Sequence, residues 1–330
     1  MPGRRLNVAV IGAGLAGLSC GRHLQNAGCR VTLFEKARGP GGRMSTRRAE
    51  GWQCDHGAQY FTVRDNAFRE EVARWEAAGV AALWEPRIAV IGGGKAEPDS
   101  VARFVGMPRM NAPAAWLAAG LQVCSGFTID KIHHEAEGWR LHSKEQGAHA
   151  GRYDALVLAV PAPQAAALLE PLLPLTAMQA SAVPMLPSWT LMLRFGRPHT
   201  PGYDAAFIND GPLRWIARDS SKPGRAGSEV WVLQAGAEWS TAHIEDDETV
   251  VTALLLDAFA KLGGPRPEAV TAHRWRYAKA GAASSRQAVW LPAVRVGLCG
   301  DWLGGGRVED AWLSGQALAA KLLARTPCLP

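Results

Sequence analysis

The sequence predicts an α/β protein in two parts, a parallel sheet flanked by helices and a second layer built on an antiparallel sheet. Three observations carry that prediction. An unbroken apolar run at 6–11 passes through a glycine-rich turn into a helix-period pattern. Two more apolar runs far downstream, at 155–160 and 294–299, read as strands of the same sheet. Between them lie short runs rich in aromatic and β-branched residues. The chain has 330 residues, 48% hydrophobic and 20% charged, enough for one large core or two coupled ones, which excludes a disordered or fibrous chain.

Element by element, 6–11 is a buried strand, 15–27 a helix that stops at Gly28, and 30–34 the next strand. The run at 294–299 leads through glycines into a final helix at 309–324. The runs 189–195, 213–217, 230–235 and 272–277 suggest the antiparallel sheet, with 248–262 as its one strong helix and the leucines 254–256 in its core. Thirteen tryptophans, six of them between Trp189 and Trp290, let this layer wall an apolar cavity, although most are expected in ordinary core.

Composition narrows the classes. No apolar run approaches the roughly 18 residues of a membrane-spanning helix, so no membrane partner is expected. The net charge of +6 is spread along the chain, unlike the stripe of a nucleic-acid binder, and reads as a modest preference for anionic ligands. The six cysteines at 20, 29, 54, 124, 299 and 328 show no metal-site spacing, and reduced thiols in a cytoplasmic protein are expected.

The chemistry begins at Gly12-Ala-Gly14-Leu-Ala-Gly17, which follows a strand and opens a helix. Gly12 permits the tight turn, Gly14 lets a pyrophosphate approach, Gly17 lets helix and strand pack, and the helix start offers N–H groups to phosphate. Glu35 closes the second strand about 20 residues on, where a carboxylate accepts ribose hydroxyls. Together these specify a dinucleotide site. Gly39-Pro-Gly41-Gly42-Arg43 then brings a second backbone turn and a guanidinium to the phosphates. This extended pattern resembles that of two-domain flavoproteins of the amine-oxidase and glutathione-reductase type, which implies FAD. No cysteine can be tied to the flavin ring, so FAD is expected to be noncovalent.

Gly300-Asp301 and Gly304-Gly-Gly-Arg307-Val-Glu309-Asp-Ala311 resemble the closing motif of that family, in which the Asp approaches the ribityl and pyrophosphate region. Asp310 stands where the related motif usually has Gly. It either disfavours negative charge on a reduced flavin or caps the helix. The blocks Asp55-His-Gly57-Ala-Gln59-Tyr60-Phe61-Thr62, Trp215-Ile-Ala-Arg218-Asp-Ser-Ser-Lys222-Pro223 and His273-Arg-Trp275-Arg-Tyr277 resemble the renalase-like branch of the flavin amine-oxidase superfamily, most closely its bacterial members, over essentially the whole chain.

The resemblance implies a Rossmann-type FAD domain from 1–62, 109–163 and 288–330, with an inserted α+β substrate domain from 63–108 and 164–287. It implies cofactor contacts at Gly12, Ala13, Gly14, Leu15, Ala16, Gly17, Glu35, Lys36, Gly42, Arg43, Met44, His56, Gly57, Ala58, Gln59, Ile129, Asp301, Val308, Glu309 and Ala311. It also implies oxidation of 1,2- or 1,6-dihydro isomers of NAD(P) to NAD(P)+, with O2 reduced to peroxide, by a monomer or weak homodimer. Such hydride transfer needs two planar rings positioned and no substrate proton removed. Tyr60, Trp275 and Tyr277 are the candidate walls, His273 a carboxamide partner and Arg307 an anion or oxygen-side group.

Two departures weigh against the amine-oxidase alternative. Arg307 occupies the place of a cage tyrosine, and 189–195 carries no lysine to hold a water at flavin N5. The other alternative is a flavoprotein that binds a partner without turnover. His133-His134 reads as a solvated strand edge rather than a metal site, and Ser188, Ser284 and Ser285 lack a nucleophile context.

Overall fold

The computed structural model describes residues 5–93, 101–225, 227–281 and 286–324; Ser284, Ser285 and Cys328 lie outside them. The apolar runs far apart in sequence assemble one six-stranded sheet in the order Val289–Leu291, Val296–Leu298, Ala155–Leu158, Asn7–Ile11, Arg30–Glu35, Gln122–Ser125. All neighbours are parallel except the first pair. Asn7–Ile11 is central, so Val8, Ala9 and Val10 are fully buried, as a strand covered on both faces requires.

Leu15–Asn26 and Val308–Ala324 pack on each other beside this sheet. Gly315 makes that approach possible: a Cβ there would stand 2.3 Å from the Ala16 carbonyl oxygen. The Ser19 hydroxyl donates to the Trp312 carbonyl at 2.8 Å across the same contact. The closing segment is thereby fixed against the helix of the opening glycine turn.

The second sheet runs Ala269–Ala280, Met185–Phe195, Glu229–Ala235, Leu213–Arg218, Ala205–Ile208, Ile88–Ile91. The four runs read from the sequence pair antiparallel as expected, whereas Ile88–Ile91, which the sequence did not reveal, adds a parallel edge strand. Ile88–Ile91 comes from a distant stretch, so no hairpin dictates its direction. Arg87 instead sets the register, forking onto Asp204 at 2.9 and 3.0 Å. Glu248–Lys261 covers this sheet. Asp247 caps it by accepting the Thr249 N–H at 2.7 Å, and Val251, Leu255 and Phe259 face inward. The leucine run is only partly core: Leu255 is buried, whereas Leu254 is 43% exposed because the helical period turns it outward. Further helices at Asn66–Ala77, Ala162–Leu169, Pro174–Ser181 and Ala237–Ala242 were not evident from sequence.

A small sheet of Ile129–Glu135, Gly138–Ser143 and Gly147–Ala148 flanks the main one. His133 and His134 lie exposed on it, and no metal-holding group of three His, Cys, Asp or Glu occurs among the described residues. No described helix is long and apolar enough to cross a membrane.

Candidate active site

A cavity of about 1520 Å³ runs from the glycine turn to the second sheet. That exceeds the roughly 300–1,000 Å³ of an ordinary small-molecule site. At one end, Gly12 sits at φ +101°, and a Cβ on it would meet the Ala159 carbonyl oxygen at 2.5 Å. Gly14 precedes the helix with no side-chain cap and no atom within 4 Å of where its Cβ would stand, so the helix start opens on the cavity. Leu15, Ala16, Lys36, Gly42, Met44 and Ile129 line it as well.

Glu35 also lines the cavity and is held by backbone. Its Oε2 accepts the Ala13 N–H and its Oε1 the Ala37 N–H, both at 2.8 Å. Ala13 is therefore an anchor for the carboxylate rather than part of the wall. Gly17 is not in the wall either, because its Cβ would stand 2.1 Å from the Gly12 carbonyl oxygen and its task is packing.

Arg43, expected at the phosphates, has a carboxylate partner in the closing motif. Its guanidinium is forked onto Asp301, at 2.9 Å to Oδ2 and 2.5 Å to Oδ1, and this pair ties the second glycine turn to the closing motif. Both residues still border the cavity. Glu309 leaves it altogether: its Oε1 accepts the Arg64 and Asp65 N–H groups at 2.7 Å each. Val308 and Ala311 line the wall in its place. Asp310 takes the capping role, accepting the Arg307 N–H at 2.9 Å and pairing with the Arg307 side chain at 3.0 Å. Its charge is thus met by a guanidinium, which stays protonated through that bond and lies at the cavity border.

The other end is built on Ala269–Ala280: His273, Trp275 and Tyr277 line the cavity, and the intervening Arg274, Arg276 and Ala278 border it as well. Trp275 donates its indole N–H to the His56 carbonyl at 2.9 Å and stacks on the His56 ring at 5.2 Å. His273 stands edge-on to His56 at 4.8 Å and to Trp275 at 4.4 Å. Burial, then the His273 ring and Arg47, push His56 down to about 4. Burial, then Arg47, does the same to His273, also to about 4. Both imidazoles are neutral at physiological pH.

Tyr60 and Gln59 correct the expectation. Tyr60 packs behind Trp215 at 5.6 Å, under the Arg103 guanidinium, and does not face the cavity. After Ala58 the chain turns away to pair Phe61 with Phe104, which carries both side chains off the wall. Sequence reasoning missed Trp215, Gln234, Arg214 and Lys279, all of which border the cavity. Lys279 belongs to Ala269–Ala280, while Met185–Phe195 has no lysine, as expected. Of the six tryptophans assigned to this layer, Trp215 and Trp275 line the cavity, and Trp189 and Trp231 are core.

Comparison with known proteins agrees with this fold. Residues 99–323 match the model of the flavin containing amine oxidoreductases, and residues 10–74 that of an NAD(P)-binding Rossmann-like domain. The chain belongs to the flavin-containing amine oxidoreductase family. Its fold is similar to that of cyclohexylamine oxidase from Brevibacterium oxydans, with a TM-score of 0.75 at 14% identity over 97% of this chain and 99% of that one. An L-amino-acid oxidase of Siganus canaliculatus is 43% identical over 65 residues, 19% of this chain and 12% of that protein. The tRNA 5-methylaminomethyl-2-thiouridine biosynthesis bifunctional protein MnmC of Magnetococcus marinus is 27% identical over 295 residues, 74% of this chain and 42% of that protein. These alignments thus span less than half of the curated relatives' length.

The family's cofactor is FAD, and the residues present fit it. The open helix start at Gly14 offers amides to a pyrophosphate, the braced Glu35 keeps acceptor capacity for ribose hydroxyls, and the volume admits a dinucleotide with space left over.

Proposed function

We propose that this family member is an oxidase of 1,2- or 1,6-dihydronicotinamide isomers of NAD(P)H rather than of amines. One observation carries the reading: the substrate end of the cavity is bordered by Arg214, Arg274, Arg276, Lys279 and Arg307, opposed by Glu238 in the wall and by Glu245 and Asp310 beside it. Five cations against three carboxylates favour a phosphate-bearing substrate and repel an ammonium. Behind that mouth lies a neutral wall of His56, His273 and Trp275, suited to a flat uncharged ring.

FAD, when bound, supplies the hydride acceptor and passes the electrons on to O2, giving H2O2. The chain's own residues position the donor. Trp275 and Tyr277 limit its tilt, His273 offers a neutral ring nitrogen to the carboxamide, and the cations hold the phosphates. No residue needs to take a substrate proton, because loss of hydride leaves an aromatic cation. The domain division of 1–62, 109–163 and 288–330 against 63–108 and 164–287 belongs to the same reading. Anaerobic mixing of the oxidised holoprotein with dihydronicotinamide isomers and with amines tests it. Flavin bleaching by the isomers is expected. Bleaching by amines alone would overturn the reading in favour of an amine oxidase, and bleaching by neither would leave the partner-binding alternative.

A further inference from the structure

The segment Arg218-Asp-Ser-Ser-Lys222-Pro223 contributes nothing to the cavity wall, yet it feeds the most deeply buried charges described. The Lys222 and Asp55 side chains are 0% exposed. Lys222 Nζ donates to Asp219 Oδ1 at 2.7 Å, to Gln59 Oε1 at 3.1 Å and to Asp55 Oδ2 at 3.4 Å. Arg225 pairs with Asp55 as well, and donates to the Gly106 carbonyl at 2.6 Å. Asp55 Oδ1 accepts the Thr46 hydroxyl at 2.6 Å and the Met110 N–H at 3.1 Å. Two cations thus balance two carboxylates, and removal of one member strands a buried charge.

What sets this cluster apart from a core ion pair is where Gln59 leads. Its NH2 donates to the Asp55 carbonyl at 2.5 Å and to the Gly57 carbonyl at 3.2 Å, on either side of His56 in the 56–58 stretch that lines the cavity. The same stretch is pressed from its other side onto Arg43. The Ala58 N–H donates to the Arg43 carbonyl at 2.8 Å, and a Cβ on Gly57 would stand 2.0 Å from that oxygen. Gln234 fixes the Gly57 carbonyl from the second sheet at 2.8 Å. A shift of Gln59 therefore moves His56, on which Trp275 is stacked and hydrogen-bonded.

We propose that Lys222, acting through Gln59, is a positioning residue of the flavin site: it sets the height of the 56–58 wall against Arg43 and so where a ring is held. The inference rests on the family's cofactor and on the cavity, and its rate measurement also uses the proposed hydride donor. Two variants test it. Lys222→Met/Asp219→Asn removes one cation and one carboxylate and keeps the cluster neutral; Gln59→Leu leaves all four charges and cuts the link. Each holoprotein is compared with the parent by visible circular dichroism of bound flavin, by the saturating rate of flavin reduction per bound flavin, and by urea unfolding.

Both variants are expected to change the flavin bands in the same sense and to slow reduction about tenfold to hundredfold with KM little altered. Parental bands and rate in Gln59→Leu, or a loss of stability with no change in either, would overturn the proposal and make the cluster a stability element. If dihydronicotinamides fail to reduce the parent protein, the donor assignment falls, while the circular dichroism still decides the role of Lys222.

Discussion

Replacing Glu35 by Ala separates two tasks that the structure assigns to one carboxylate. Each oxygen already accepts a backbone N–H at 2.8 Å, from Ala13 and from Ala37, and Ala13 is fully buried. Without the carboxylate, the Ala13 donor has no solvent to turn to, a cost of about 1–3 kcal/mol in stability. The ribose hydroxyls lose hydrogen bonds to a charged group, worth about 1.5–3 kcal/mol, which corresponds to roughly ten- to hundred-and-fifty-fold weaker FAD binding. Glu35→Gln is not a mild control, since its NH2 would face a donor at either Ala13 or Ala37. Denaturing the holoprotein should first release free yellow cofactor, the outcome expected of noncovalent FAD; colour that stays with the precipitated chain would overturn that expectation. Flavin fluorescence during titration of the apoprotein then gives the affinity, and urea unfolding gives the stability. A stability loss with unchanged affinity would refute the argument and place the ribose elsewhere.

The saturating rate of flavin reduction should be flat between about pH 6 and 9, because His56 and His273 stay neutral there; a single-proton limb lost in His273→Ala would show an acid or base at work. Both histidines are shifted down from about 6.5 to about 4, so the unfolded chain takes up their protons first, and the stability they contribute is complete above pH 6.5 and is lost as pH falls toward 4. Urea midpoints across that window check the sign. Monoamines and polyamines should reduce the flavin negligibly, and rapid single-turnover bleaching by any of them would return the chain to amine chemistry. Trp275→Ala removes both the stack on His56 and the bond to its carbonyl, and should slow reduction about a hundredfold, the scale of a misplacement near 1 Å. An unchanged rate would remove Trp275 from the positioning set.

The main strands, the helix after the glycine turn and the dinucleotide site were legible in the sequence because each is a local pattern. An apolar run followed by Gly12, Gly14 and Gly17 specifies a turn whoever its neighbours are, and Glu35 lies a fixed short distance beyond. Alternation likewise put His273, Trp275 and Tyr277 on one face before any contact was known. The side-chain partners were not legible, because they are set by which distant segments meet. Arg43 is 258 residues from Asp301, Trp275 is 219 from His56, and Lys222 is 163 from Gln59. Nothing in the spacing of Gly39-Pro-Gly41-Gly42-Arg43 tells whether its guanidinium takes a phosphate or a carboxylate. Only packing the closing helix on the first one brings Asp301 within reach. Tyr60 fails for the same reason: its neighbours in sequence face the cavity, and the pairing of Phe61 with Phe104 turns it away. Sequence determined which backbone could hold a dinucleotide. The tertiary structure decided which charges are consumed in holding that backbone and which still border the cavity, because a buried charge must be paired, and its partner can come from anywhere in the chain.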